Sequence, residues 1–273
     1  MAELAPGFAT LFKQWRQHRR VSQLDLAAEV GVSQRHLSFL ETGRANPSQA
    51  MVLALAEALQ VPLRERNSLL QSAGFASSFS EGKMDADTHR AFKSAIDQIL
   101  VQQEPFPALV LDGRWNMIGF NPGALRFFSE FIDPIQAQAD IGDPADFQII
   151  RLCLHASGLR PYIENWHELV QTFLHRARRA QLANPSDPGV ATLIDEILNH
   201  PDADQDWRKV WQVHHAPAIE MIMRKGDDRY RLFTMMAHFG APGDITLEET
   251  SVELFYPSDD QTRELLFRLA ANG

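Results

Sequence analysis

The chain has 273 residues, 45% of them hydrophobic and 22% charged, with a net charge of −9, so it is long enough for two ordinary globular domains. No apolar run approaches the roughly 20 residues that span a bilayer, and no basic flank leads into an apolar core at the start, so neither a membrane anchor nor a signal peptide is expected. The one cysteine, Cys153, excludes an internal disulfide and fits a reducing cytoplasm.

Gly7–Arg20 has Phe8, Leu11, Phe12 and Trp15 at helical spacing, with a basic cluster at its end that suits either solvent or phosphate. A second helix follows Ser22, which with Asp25 approximates a capping box. Gly31 then permits a sharp turn, and Ser33 caps a third helix, SQRHLSFLETG, that stops at Gly43. Leu37 and Leu40 form its apolar stripe, and Arg35 lies opposite, among Gln34, Ser38, Phe39 and Thr42. Two short helices about a tight glycine turn are the helix-turn-helix pattern. Ser48 caps a fourth helix, and Pro62 opens a fifth that closes at Gly74. Residues 1–75 hold 8 Lys/Arg against 6 Asp/Glu, whereas 76–273 hold 18 against 29. A slightly basic head on an acidic body fits a head that approaches phosphate.

The run Ser22-Gln23-x-x-Leu26-Ala27, Gly31-Val32-Ser33, Leu37-Ser38-x-x-Glu41-x-Gly43-x-x-x-Pro47 resembles the lambda-repressor-like, or XRE-family, DNA-binding domain. The resemblance implies an all-α five-helix domain whose third helix enters the major groove. Gln34, Arg35 and Phe39 would then face bases, and Gln23, Ser38, Arg44 and Asn46 phosphates, with Ser33 at the helix start beside them. Arg can bond guanine O6 and N7 together, and Gln can bond adenine N6 and N7. Phe39 would contact a thymine methyl or pack on the next loop. His36 reads as structural, and Glu41 as a brace for Arg35 or Arg44. Paired half-sites imply a homodimer on double-stranded operator DNA.

Ala76–Met84, small and polar, reads as a linker, leaving 85–273 as a second domain. A helix is expected from Asp85 to Gln103. Ala108–Leu111 and Trp115–Phe120 read as a hairpin about Asp112-Gly113, and Asn121-Pro122 turns the chain into a helix near Gly123. Phe147–Ala156, Tyr162–Ala183 and Pro188–His200 read as helices. Lys209–Met223, Arg229–Phe239 and Thr246–Tyr256 read as strands, and Ser258 as the cap of a final helix. About five antiparallel strands with flanking helices make an α+β, PAS-like domain.

Leu154-His155-Ala156-x-Gly158-Leu159-Arg160-Pro161-x-x-x-Asn165-Trp166, with Phe239-Gly240-x-Pro242-x-Asp244 and Leu254-Phe255-Tyr256-Pro257, resembles the MmyB-like ligand-binding domain. That implies a transcription regulator with a small-molecule effector, apolar or fatty-acid-like. Arg160 would clamp a carboxylate, with Asn165 and His155 orienting it. Trp115, Phe120, Trp166, Phe173 and Phe233 would line an apolar cavity. Against this, Arg160 could pair with Glu164 or Glu168, the aromatics could fill the core, and the domain could serve dimerisation alone. Enzyme signatures are not found. Cys153-x-His155 lacks further ligands, and His214-His215 on a strand would point to opposite faces, so no metal or catalytic site is expected.

Overall fold

The computed structural model describes residues 7–80, 86–141, 147–184, 187–202, 220–239 and 244–272. The chain forms two compact units: residues 1–83 with 180–186 and 241–248, and residues 84–179 with 187–240 and 249–273.

The first unit contains five consecutive helices: α1 (Phe8–His18), α2 (Gln23–Glu29), α3 (Gln34–Glu41), α4 (Gln49–Ala58) and α5 (Leu63–Ser72). Three of them start on the serines expected. Ser22, Ser33 and Ser48 accept from the amides of Asp25, His36 and Met51. Phe12 and Trp15 pack with Leu26, Leu37, Leu40, Val52, Leu55 and Leu70 in one core. Gly31 and Gly43 adopt φ of 73° and 70°, the left-handed conformation that lets the chain reverse after α2 and α3. α5 begins after Pro62, which offers no side-chain cap. Glu248 supplies one instead, its Oε2 accepting from the Leu63 amide at 3.1 Å. Arg19 gathers four carbonyls: Leu59 (3.0 Å), Gln60 (2.9 Å), Leu182 (3.2 Å) and Ala183 (3.3 Å). Part of the expected linker is held in this unit as well. Asn67 Oδ1 accepts from the amides of Ser78 and Phe79, and its Nδ2 donates to the Phe79 carbonyl.

The second unit opens with α6 (Ala86–Gln103) and is built on an antiparallel sheet ordered β2-β1-β5-β4-β3. The strands are β1 (Ala108–Leu111), β2 (Met117–Phe120), β3 (Glu220–Lys225), β4 (Asp228–His238) and β5 (Ser251–Pro257). Helices α7 (Pro122–Ser129), α8 (Pro134–Ile141), α9 (Ile149–Leu154), α10 (Trp166–Ala183), α11 (Pro188–Leu198) and α13 (Asp260–Asn272) belong to this unit except for the last residues of α10, and α12 (Ile245–Glu249) falls almost wholly in the first unit. Leu109 pairs with Phe120 on one side and Glu253 on the other, so these three side chains share a sheet face.

Asn121 fixes where α7 leaves the sheet. It is only 1% exposed. Its Oδ1 accepts from Ala108 (2.9 Å) and Ala124 (2.8 Å), and its Nδ2 donates to Phe106 (2.8 Å) and Leu100 (3.3 Å). Gly123 beside it has no room for a side chain, because a Cβ would sit 2.7 Å from the Pro105 carbonyl oxygen.

Some boundaries differ from the sequence reading. β2 starts at Met117, because Trp115 takes φ 61° and the Asp112 carboxylate closes the turn on the Arg114 and Asn116 amides. Residues 246–249, expected as the start of the last strand, lie instead in α12, whose first turn Asp244 caps through the Leu247 amide. The cap of α13 is Asp259, bonded to the Thr262 amide at 2.7 Å; Ser258 Oγ has no partner. α8 was not expected; Asp133 caps it through Ile135 and Gln136. Lys209–Ile219 of the expected strand, with His214 and His215, lie outside the described residues, as do Gly240 and Pro242.

Candidate DNA-reading face and sensor pocket

α3 presents Gln34 and Arg35 to solvent, with Ser38 and Phe39 half-buried behind them. The Arg35 guanidinium lies 5.3 Å from the Phe39 ring centroid, one helical turn on. That stacking steadies the cation while leaving its N–H groups outward. Phe39 thus serves Arg35, and its carbonyl also receives the Arg44 amide at 2.9 Å. Arg44 and Asn46 are exposed in the following loop. Ser33 is occupied by the His36 amide, so its role at the helix start is that of a cap.

Glu41 does not brace Arg35 or Arg44. It is 8% exposed and bound by Arg16, whose Nη2 lies 3.0 Å from Oε2 and whose Nε bonds Oε1. Gln23 Nε2 also donates to Glu41 Oε2 at 2.8 Å. Burial alone would raise the Glu41 pKa; the bonds from Arg16 and Gln23, with the Arg16 and Lys13 charges, hold it below its ordinary value. The latch fixes the Gln23 amide at the start of α2 and leaves its second N–H for another acceptor. The sequence reading placed Arg16 only in a basic cluster. A buried acid 25 residues away has no local signature.

In the second unit, a small apolar cleft of about 70 Å³, open to solvent at its mouth, lies between the β1–β2 hairpin, α7 and α9. Leu109, Met117, Phe120, Phe128, Phe147 and Leu152 line it, and among the described residues no polar side chain does. Phe120, 54% exposed, stands at the rim. A second cleft of about 220 Å³ shares Ile132 with it and adds Asp133, Gln136, Ser157 and Tyr162. Gly158 shapes this region, since a Cβ there would meet the Leu152 carbonyl oxygen at 2.2 Å.

Of the residues expected to hold a ligand, only Phe120 lines the apolar cleft. Arg160 is engaged, its Nε 2.8 Å from Asp202 Oδ2 and its guanidinium 4.2 Å from the Trp166 ring centroid. Its partner is neither Glu164, which binds Arg224 and Arg229, nor Glu168. Trp166 is 3% exposed and packs 5.0 Å from His200. Asn165 ties the chain to β3 through the Glu220 carbonyl (2.6 Å) and the Ile222 amide (2.9 Å). His155 Nδ1 accepts from the Ser157 amide. Trp115 is half-buried in the hairpin turn, and Phe233 stacks on Tyr256 at 5.4 Å. Arg160, Trp166, Asn165 and His155 build the frame around the α9–α10 junction. The cleft-lining Met117, Phe128, Phe147 and Leu152 were missed, because in sequence they read only as core.

Among the described residues no group of three or more His, Cys, Asp or Glu suits a metal ion, and no helix is long and apolar enough to cross a membrane. Cys153 is buried, which pushes its thiol well above the ordinary range and leaves it unreactive.

Comparison with known proteins gives two family matches. Residues 92–269 match the MmyB-like transcription regulator ligand binding domain, and residues 12–66 match a helix-turn-helix domain. No curated protein matches the chain. Among solved structures, an RNA-binding Light-Oxygen-Voltage receptor aligns with 97% of this chain and 63% of its own, at 12% identity and a TM-score of 0.25. The chain thus spans less than two thirds of that receptor, and so low a score says nothing about fold or function. The first match covers more than half of the chain, which therefore belongs to the MmyB-like transcription regulator ligand-binding-domain family and carries a helix-turn-helix domain ahead of that region.

Proposed function

We propose that the protein is a homodimeric regulator whose residues 1–75 read operator DNA and whose residues 85–273 sense a small apolar or fatty-acid-like molecule. In this reading Gln34 and Arg35 contact bases, Phe39 supports Arg35, and Gln23, Ser38, Arg44 and Asn46 meet phosphates. The observation that supports sensing most directly is the cleft at Phe120, Phe128 and Phe147, lined among the described residues by apolar side chains within the family's ligand-binding domain. An apolar surface left open in this way is stabilised by a ligand that covers it. Ligand bound in one dimer geometry more tightly than in another shifts the half-site spacing and hence the DNA affinity.

The test is displacement of N-phenyl-1-naphthylamine from the full chain by 1-alkanols of increasing length. Each added methylene is expected to tighten binding about fourfold until the cleft is full. Absence of dye binding, or displacement indifferent to chain length, rules out the apolar site and leaves the domain a dimerisation module.

A further inference from the structure

Phe39 breaks the rule that places the other apolar residues of α3. Leu37 and Leu40 lie in the core of the head unit, whereas Phe39 belongs, among the described residues, neither to that core nor to the half-buried apolar fringe packed on it. It stays half-buried on the helix face that also carries Arg35 and Ser38. Its ring meets the Arg35 guanidinium, 5.3 Å from the centroid. Covering the rest of that ring is favourable, and in the reading above the surface in front of α3 is the floor of the major groove.

The spacing decides which base pair covers it. Four residues advance a helix by about 6 Å, less than two base-pair steps of about 3.4 Å. Stacking brings the two groups to 5.3 Å. A guanidinium held in the plane of a guanine by O6 and N7 therefore sets the ring against the adjacent base pair. The apolar group that a base pair shows in the major groove is the C5 methyl of thymine, which 5-methylcytosine shares. The other edge groups are acceptors and amino donors, which a phenyl ring would desolvate without pairing.

We infer that Arg35 and Phe39 form one reading unit for two neighbouring base pairs: a guanine held by the Arg35 fork and, beside it, a C5-methylated pyrimidine covered by the Phe39 ring. The inference rests on the base-reading assignment of Arg35 above and extends it to the next base pair. Phe39 is then a specificity-determining residue as well as a support for Arg35.

The experiment begins by selecting duplexes from a random library with the full chain. The enriched half-site is expected to hold a guanine next to a T·A pair. That duplex is then titrated by fluorescence anisotropy with the thymine replaced by deoxyuridine, which removes the methyl and nothing else, and with the pair replaced by C·G or 5-methylcytosine·G. Loss of the methyl is expected to weaken the natural chain about fourfold per half-site, and 5-methylcytosine to bind about fourfold more tightly than cytosine. In Phe39→Ala both differences are expected to fall below about 1.5-fold while guanine stays preferred. A natural chain indifferent to the methyl, a Phe39→Ala variant as sensitive as the natural chain, or an enriched guanine flanked only by G·C pairs overturns the inference. Guanine preference that survives Arg35→Ala, or selection that enriches no sequence, overturns the base-reading assignment itself, so the two failures are distinguishable.

Discussion

At the scale of single residues, the head unit separates groups that face outward from groups that hold them. Arg35 is exposed and steadied by Phe39, so on the proposed reading Arg35→Ala should cost about 1–3 kcal/mol of discrimination at one base position. A gel shift with operator variants checks this; unchanged discrimination assigns base reading to another residue. Arg44→Ala should instead weaken all sequences alike and lower the salt slope by about one. Glu41 adds a pH signature. Its folded pKa lies below the ordinary 4.5, so its stabilising effect is fully present above that value and fades as pH falls through the folded pKa. Denaturation midpoints of the natural chain should therefore decline below about pH 4.5 more steeply than those of Glu41→Gln. Parallel pH profiles would contradict the latch. Arg35 was legible in sequence because a capped helix fixes its own faces. The Arg16–Glu41 pair was not, because packing of α1 against α3 makes it.

At the scale of elements, the caps tell the same story. Ser22, Ser33 and Ser48 act within three residues, and each helix start was visible in the sequence. Where adjacent residues compete, as Ser258 and Asp259 do before α13, sequence alone does not choose; the carboxylate that reaches the Thr262 amide wins. Capping from afar is invisible for a different reason. The Leu63 amide donates to Glu248, and Arg19 closes four carbonyls from distant stretches of the same unit. Arg19→Ala should lower the stability of the head by about 2 kcal/mol in urea denaturation followed by helical circular dichroism, since charged donors to carbonyls are among the stronger hydrogen bonds. Stability within about 0.5 kcal/mol of the natural chain would show those bonds to be incidental. In the body, Asn121 should be more sensitive still. Asn121→Leu strands two amides and two carbonyls around α7, at about 1–3 kcal/mol for each buried group left unpaired, and should abolish dye binding by loosening the cleft wall.

For the whole molecule, fold class was more legible than the site. Helical periodicity, glycine turns and the Asp112-Gly113 hairpin announce a helical head and an antiparallel α+β body, and the sheet order β2-β1-β5-β4-β3 agrees. Of the residues that drew attention by their chemistry, Arg160 turns out to be bonded to Asp202 and stacked on Trp166, and Asn165 to be bonded to β3. A cleft made of Leu, Met and Phe has no chemical signature until the fold leaves its surface uncovered. The central claim is that filling this cleft changes DNA affinity. The direct measurement is fluorescence anisotropy of a labelled duplex from the chain's own promoter, titrated with the natural chain and with Phe120→Asp, each with and without saturating 1-dodecanol. The account predicts a shift of about 5-fold or more in Kd for the natural chain, and none for Phe120→Asp at similar ligand-free affinity. An unchanged Kd at saturating alcohol, or an equal shift in Phe120→Asp, would contradict it.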